Sequence, residues 1–295
     1  MCDITTIIMT KNEESNIEKC IKSAKLVSKR IIVVDSCSTD KTVELAGKNN
    51  VEVIQNKFLN HGTQWNYAVQ EANITTTWIM RLDADEEITE LAAAKLLKLC
   101  DENESTDVNG IIFRFKVKFM GKYLLHGNTY PIRRMSCYRT GYATMDFRNM
   151  HDQIILENGR YIELDEDLNH NDFKDLSYWI SKHNWYATGA AIDYLDNLDI
   201  KEPFEKYDWN SRRNRFLKAN VYYKLPIMLR SKLNFIYRYY FKLGFLDGIE
   251  GYYYAFFQAY WYRVLVDAKI QELKTSNIKK GSCMGDLNDI NRSNY

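Results

Sequence analysis

Four carboxylates crowd one short stretch of this 295-residue chain. In Arg81-Leu82-Asp83-Ala84-Asp85-Glu86-Glu87, acids fill four of five consecutive positions directly after the apolar run TWIMRL. Asp83 and Asp85, at i and i+2 of an extended chain, lie on the same side. Two carboxylates on one side can share a hard divalent cation, and the cation can in turn hold phosphate oxygens. The bland alternative is a solvated helix start, since acids favour a first turn.

The elements that must position these acids follow from hydrophobic patterning. Thr5–Thr10 is a short β-branched run ending at Asn12, which can cap a helix over about 14–27. Arg30–Val34 (RIIVV) is nearly all apolar, as expected of a strand buried on both faces of a parallel sheet. It leads through Asp35 and a polar turn into the helix TVELAGK. Val51–Gln55 reads as a third strand, Gly62–Ala72 as a helix and Thr77–Leu82 as a fourth strand. Such alternation with short loops implies βαβ units with right-handed crossovers. Ligands in these open sheets bind at the carboxyl ends of the strands, where Asp35 and Asp83 both fall. From about 109 to 164 the pattern shifts to short strands, and from Phe173 onward to helices.

Apolar residues make up 45% and charged residues 27%, so a sizeable core is expected. Forty basic against thirty-nine acidic residues leave a net charge of +1, which argues against a general nucleic-acid binder. Six scattered cysteines without a C-x-x-C pair suggest neither a disulfide framework nor a zinc ribbon. Free thiols fit a reducing cytoplasm, and the first residues show no secretion signal.

Three ordered segments, TTIIMTKNEE, IIVVDSCSTDKT and WIMRLDADEE, resemble the nucleotide-sugar glycosyltransferases of family 2, in particular the bacterial branch that builds lipopolysaccharide cores, O-antigens and capsules. The resemblance is strongest over the first 100 residues and extends to FLDGIEGYYYAFFQAYWY. It implies a GT-A fold: an α/β, Rossmann-like, mostly parallel sheet flanked by helices, followed by a helical, aromatic-rich C-terminal region. The expected division is a catalytic domain over 1–205 (nucleotide-sugar half 1–105, acceptor half 106–205), a helical basic and aromatic region over 206–275, and a polar tail over 276–295.

The resemblance also implies roles. Thr10, Asp35, Asn66, Arg81 and Asp83 would bind the nucleotide sugar, and Asp85, with Asp83 and His170, would hold a Mn²⁺ or Mg²⁺ ion. Asp152, in Met150-His151-Asp152, would be the general base that takes the proton of the acceptor hydroxyl. The donor would be a UDP-hexose and the acceptor a lipid-linked saccharide or lipopolysaccharide. Arg133, Arg134 and Arg139 are spaced through a strand-like segment, where alternate arginines would face one side and could bind an anionic acceptor or the diphosphate.

Between Asp208 and Asp247 lie nine basic residues and no acid, amid crowded tyrosines, tryptophans and phenylalanines. Tyrosine and tryptophan favour the headgroup level of a membrane, and each basic residue near an anionic leaflet contributes about 1 kcal/mol. This predicts peripheral attachment to an anionic membrane surface, on the cytoplasmic side of the inner membrane. The alternative is a helical bundle that buries these aromatics internally or in a homo-oligomer. Nothing resembles an RNA-recognition signature, so no nucleic-acid partner is expected. A sugar nucleotidyltransferase would want a glycine-rich N-terminal loop, and no glycine precedes Gly47. A catalytically degenerate scaffold of a polysaccharide-assembly complex is the other rival.

Overall fold

The computed structural model describes residues 2–145, 153–171, 174–196 and 209–275. The elements run in the order β1 (Ile4–Thr10), α1 (Ile17–Ala24), β2 (Arg30–Asp35), α2 (Thr42–Lys48), β3 (Glu52–Gln55), α3 (His61–Glu71), β4 (Trp78–Asp83), β5 (Glu86–Glu87), α4 (Glu90–Glu102), β6 (Val108–Phe119), β7 (Lys122–Tyr123), β8 (Ile132–Arg139), β9 (Ala143–Met145), β10 (Ile154–Leu156) and β11 (Arg160–His170). Helices follow: α5 (Leu176–Leu195), α6 (Trp209–Asn220), α7 (Ile227–Ile236), α8 (Gly248–Ala255) and α9 (Tyr262–Thr275).

The described residues fall into two compact units. The first contains 2–118, 131–145 and 153–171, and the second 119–130, 174–196 and 209–275. The helix α5 thus groups with the later helices, whereas the sequence suggested a division near 205. The expected polar tail, 276–295, lies outside the described residues.

In the first unit the sheet order is β3-β2-β1-β4-β8-β6-β11-β5. Strands β3, β2, β1 and β4 are mutually parallel, whereas β8 is antiparallel to both β4 and β6. All seven residues of β1 are buried, as are the last five of β2. That burial explains why β2 reads as a nearly unbroken apolar run and β1 as a β-branched one, rather than as alternating strands. One core cluster packs α1, α2 and α4 against one face through Ile17, Ile21, Ala46 and Leu96. Trp65 and Ala68 of α3 close the other face, with Trp65 Nε1 donating to the Tyr138 hydroxyl at 3.1 Å. Side-chain caps start α3 and α4: Asn60 accepts from Thr63 N at 2.7 Å and Thr89 from Ala92 N at 3.1 Å.

The region expected to hold short strands contains two long ones, β6 with 12 residues and β11 with 11. Their length follows from pairing: β6 is bonded on one side to β8 and on the other to β11. The fold is the mostly parallel, helix-flanked sheet that the GT-A resemblance implies, with the helical aromatic-rich part after it.

In the second unit Phe119, Leu124 and Trp179 form a small core against Tyr254, Phe257 and Trp261. Asp247 is its polar anchor, accepting from His126 N at 2.8 Å, Leu125 N at 3.2 Å and the His126 ring at 2.8 Å. Gly251 is required there, because a Cβ would stand 2.4 Å from the Gly244 carbonyl oxygen. No helix among the described residues is long and apolar enough to cross a membrane.

Candidate active site

The carboxyl ends of β1, β2 and β4 lie side by side, with Thr10 opposite Asp35 and Met9 opposite Asp83. Strand β1 stands between β2 and β4, so the chain reverses its direction of winding beside it, which is where open α/β sheets keep their ligand crevice. The loops after β1 and β2 brace each other. Ser36 N donates to the Thr10 carbonyl at 2.9 Å, Asn12 N to Ser38 Oγ at 2.8 Å, and Thr39 N to Asn12 Oδ1 at 2.8 Å.

Asp35 is fully buried and held by its own turn. Its carboxylate accepts from Ser38 N at 2.9 Å, from Gln55 Nε2 at 3.0 Å and from the Ser38 hydroxyl. A carboxylate offers about four acceptor positions, so one more donor fits. Thr10 Oγ1, beside it, is buried with no hydrogen-bond partner among the described residues. Gln64, also buried, bridges Ser36 Oγ at 3.2 Å and Asn56. Asn66 is half-buried, and its amide nitrogen is 3.4 Å from the Met145 carbonyl.

The acidic run separates into two pairs of partners. Asp83 accepts from Arg81 Nε at 3.2 Å and from Arg134 at 2.8 Å. The same Arg134 donates to Glu86 at 2.6 Å, and Glu86 in turn accepts from Asp83 N at 3.0 Å. Burial works against the Asp83 carboxylate, but Arg81, Arg134 and His61 outweigh it and hold the group well below the usual carboxylate range. For Glu86 burial prevails over Arg134, and the neighbouring Asp83 and Asp85 add to it, so its carboxyl is raised.

Asp85 turns to a different neighbour, with Oδ2 3.6 Å from His170 Nε2. Backbone pairing sets this meeting: β5 runs antiparallel to the end of β11, with His170 opposite Glu86, and Asn171 N donates to the Asp85 carbonyl at 2.9 Å. Phe115 supports His170 edge-on at 6.4 Å.

The Asp85–His170 pair fits a divalent ion. At 3.6 Å the two atoms are too far apart for a good hydrogen bond. Ligands at about 2.0–2.2 Å from one ion stand about 3–3.6 Å apart. Among the described residues no three His, Cys, Asp or Glu side chains converge on one point. The remaining coordination positions would therefore go to water and to oxygens of a bound ligand, as Mg²⁺ and similar hard ions favour.

The sequence-predicted residues thus meet in part. Thr10, Asp35, Arg81, Asp83, Asp85 and His170 stand at the ends of paired strands or in the turn beside them, with Asp85 and His170 in contact and Asp83 drawn to arginines. Asp152 and His151 lie outside the described residues. The three arginines of β8 go to three places: Arg133 to Glu163 at 3.0 Å, Arg134 to Asp83 and Glu86, and Arg139 to the carbonyls of Val108 and Asn103. Arg134 was visible only as one of a basic series. Ser38 and Gln55, which hold Asp35, carried no distinguishing signal.

Residues 5–158 match the model of the family described as glycosyl transferase family 2. An uncharacterized glycosyltransferase of Rickettsia typhi is 28% identical over 208 residues, which are 67% of this chain and 64% of the relative. A second, from Rickettsia conorii, is 27% identical over 207 residues, 65% of this chain and 70% of that one. The chain thus spans about two thirds of the length of these curated relatives, or slightly less. Among solved structures, the glucosyl-3-phosphoglycerate synthase of Mycobacterium tuberculosis aligns over 40% of this chain and 44% of its own, with 19% identity and a TM-score of 0.32. With the family model covering more than half of its length, this chain belongs to glycosyl transferase family 2.

Proposed function

We propose that the chain is a metal-dependent, inverting glycosyltransferase that moves a hexose from a UDP-sugar to a lipid-linked saccharide, of the kind used for lipopolysaccharide or capsule, at the cytoplasmic face of the membrane. The observation that carries the reading is the Asp85–His170 pair at the carboxyl edge of the parallel sheet, beside Thr10, Asp35 and Asp83. A divalent ion there, Mn²⁺ or Mg²⁺, would supply Lewis acidity to the departing diphosphate. Asp85 and His170 would hold it.

The other residues act on the substrates. Thr10 Oγ1, a buried hydroxyl without a partner among the described residues, and the free acceptor position on Asp35 suit the base and ribose of the nucleotide. Asp83, kept ionised by Arg81 and Arg134, faces the ribose as an acceptor. Asp152 would take the acceptor hydroxyl proton as its oxygen bonds to the anomeric carbon and the carbon–oxygen bond to the diphosphate breaks. Membrane attachment is supported by aromatic and aliphatic side chains left exposed at 237–253, among them Tyr240 and Phe241.

The test is release of UDP from a panel of UDP-sugars with Mn²⁺, without and with a membrane extract supplying acceptor. Turnover of one donor is expected, lost with chelator and reduced at least 1000-fold in Asp85→Ala. His170→Ala should weaken metal affinity about 10–100-fold, so that more Mn²⁺ is needed, without removing activity. Turnover that persists in Asp85→Ala would sink the metal assignment. Pyrophosphate release from a sugar phosphate and a nucleoside triphosphate would favour a nucleotidyltransferase instead.

A further inference from the structure

The acidic run holds more carboxylates than it delivers to one point. In the antiparallel pairing of β5 with β11, Glu86 stands directly opposite His170. Residues opposite one another in such a pair carry their side chains on the same face, with Cβ atoms about 4.5–5.5 Å apart. Register alone would therefore set a Glu86 carboxylate beside the imidazole, next to the Asp85 that already meets it at 3.6 Å. Yet among the described residues no three such side chains converge.

One side chain accounts for the difference. Arg134 Nη1 donates to Asp83 at 2.8 Å and Nη2 to Glu86 at 2.6 Å, so a single guanidinium takes the acids on either side of Asp85 in the sequence. The planar fork of an arginine can grip two carboxylates at once, which the point charge of a lysine cannot. Arg134 is itself fixed. Its Nε donates to Ser136 Oγ at 3.1 Å, and its guanidinium carbon lies 4.7 Å from the centre of the Phe115 ring, the ring that also meets His170 edge-on. Asp83 is held a second time by Arg81 Nε at 3.2 Å, and Glu86 by Asp83 N at 3.0 Å.

We infer that Arg134 is a positioning residue for the metal: it withholds Asp83 and Glu86 from the ion and leaves Asp85 and His170 to hold it. The inference rests on the metal-dependent reading above and deepens it. Affinity for a hard cation rises with the number of charged oxygens around it. A site with one carboxylate and one imidazole binds weakly alone and gains its remaining strength from the diphosphate of the donor. Arg134 thereby makes metal binding depend on the nucleotide. Without its grip the two flanking acids would be free to hold the ion in the absence of a donor.

The experiment measures Mn²⁺ affinity of the full chain by the electron paramagnetic resonance of free Mn²⁺, with and without UDP and with a blank for Mn²⁺ held by UDP alone. No turnover is needed. Without UDP, Arg134→Gln should bind Mn²⁺ about tenfold more tightly than the wild type or better, and UDP should then add less than it adds to the wild type. Asp83→Asn and Glu86→Gln, placed together in Arg134→Gln, should cancel the gain and so assign it to the freed carboxylates. Damage to the fold loosens an ion rather than tightening it, so the sign separates this role from a merely structural one. Glu86→Gln alone should leave the wild-type affinity unchanged, and this comparison stands even if Arg134→Gln does not fold. A loss of about tenfold in Glu86→Gln would make Glu86 a ligand and overturn the proposal. So would a folded Arg134→Gln that binds Mn²⁺ no more tightly than the wild type while the wild type binds it with UDP. A wild type that binds no Mn²⁺ even with UDP would overturn the metal-dependent reading itself, and the proposal with it.

Discussion

The acidic edge of the sheet and the helical unit treat buried polar groups in opposite ways. At the sheet edge, four ionisable side chains within a few ångströms, Arg81, Asp83, Glu86 and Arg134, are bonded to one another with every contact between 2.6 and 3.5 Å. In the helical unit Gln258 Oε1 and Arg263 Nε are buried with no hydrogen-bond partner among the described residues, while Phe241 is 75% exposed and Tyr240 57%. A charge network in low dielectric is stable only if it is complete. The network of Arg81, Asp83, Glu86 and Arg134 is completed from within the chain and so can present a fixed site to a ligand, beside Thr10 Oγ1, which has no partner among the described residues. The helical unit leaves some of its buried polar atoms without partners among the described residues and several of its aromatic side chains exposed.

The largest expected effect breaks the first half of that comparison. Arg134→Ala would leave Glu86, 1% exposed, and Asp83 with one cation between them. Removing one member of a buried ionic network costs about 3–5 kcal/mol, measurable by urea denaturation. Glu86→Gln added to Arg134→Ala should return part of that loss, since the raised Glu86 carboxyl is the group most strained by the change. A loss below about 1 kcal/mol would mean that the acids are satisfied without Arg134, and the contrast would fall.

A middle effect addresses the second half. Phe241→Ser should leave stability within about 0.5 kcal/mol, because an exposed ring has little to lose. If the ring sits in a membrane interface, burial of about 1.5–3 kcal/mol is forfeited there, and co-flotation with anionic vesicles should weaken at least tenfold. Unchanged flotation together with a loss of stability would show that Phe241 packs within the protein after all. The bundle alternative is already half right, since Trp179, Tyr254, Phe257 and Trp261 do pack together; the outer aromatics decide between the two.

The strands β1, β2 and β4 were legible because each is a short run of mostly apolar or β-branched residues bounded by a polar turn, and parallel burial on two faces leaves that mark. The Asp83–Asp85 run was legible by density alone. What it lacked was its partner: Arg134 lies 51 positions from Asp83, and only the antiparallel return of β8 between β4 and β6 brings it near. Arg133 and Arg134, being consecutive, face opposite sides of β8, and the alternation that would have put Arg139 on the face of Arg133 is interrupted. The β6–β8 ladder slips between Ile111 opposite Cys137 and Ile112 opposite Met135, so a bulge at Ser136 breaks the alternation. Bulges of this kind leave no trace in a two-residue period.

The smallest effect sharpens the comparison on a single strand. Arg133 and Arg134 are consecutive in β8 and both bind carboxylates at 3.0 Å or less. Arg133 and its partner Glu163 are 35% and 36% exposed, whereas Glu86 beside Arg134 is 1% exposed. An exposed pair is screened by water and salt and contributes about 0–1 kcal/mol. Arg133→Ala should therefore shift stability by less than about 0.5 kcal/mol, an effect that disappears at 1 M salt, where charges screen one another within about 3 Å. Arg134→Ala should keep most of its cost in that salt, because Glu86, 1% exposed, is shielded from the solvent that carries the ions, while Asp83, 28% exposed, is shielded only in part. Equal losses from the two arginines would show that proximity alone, rather than burial, sets the strength of the acidic edge.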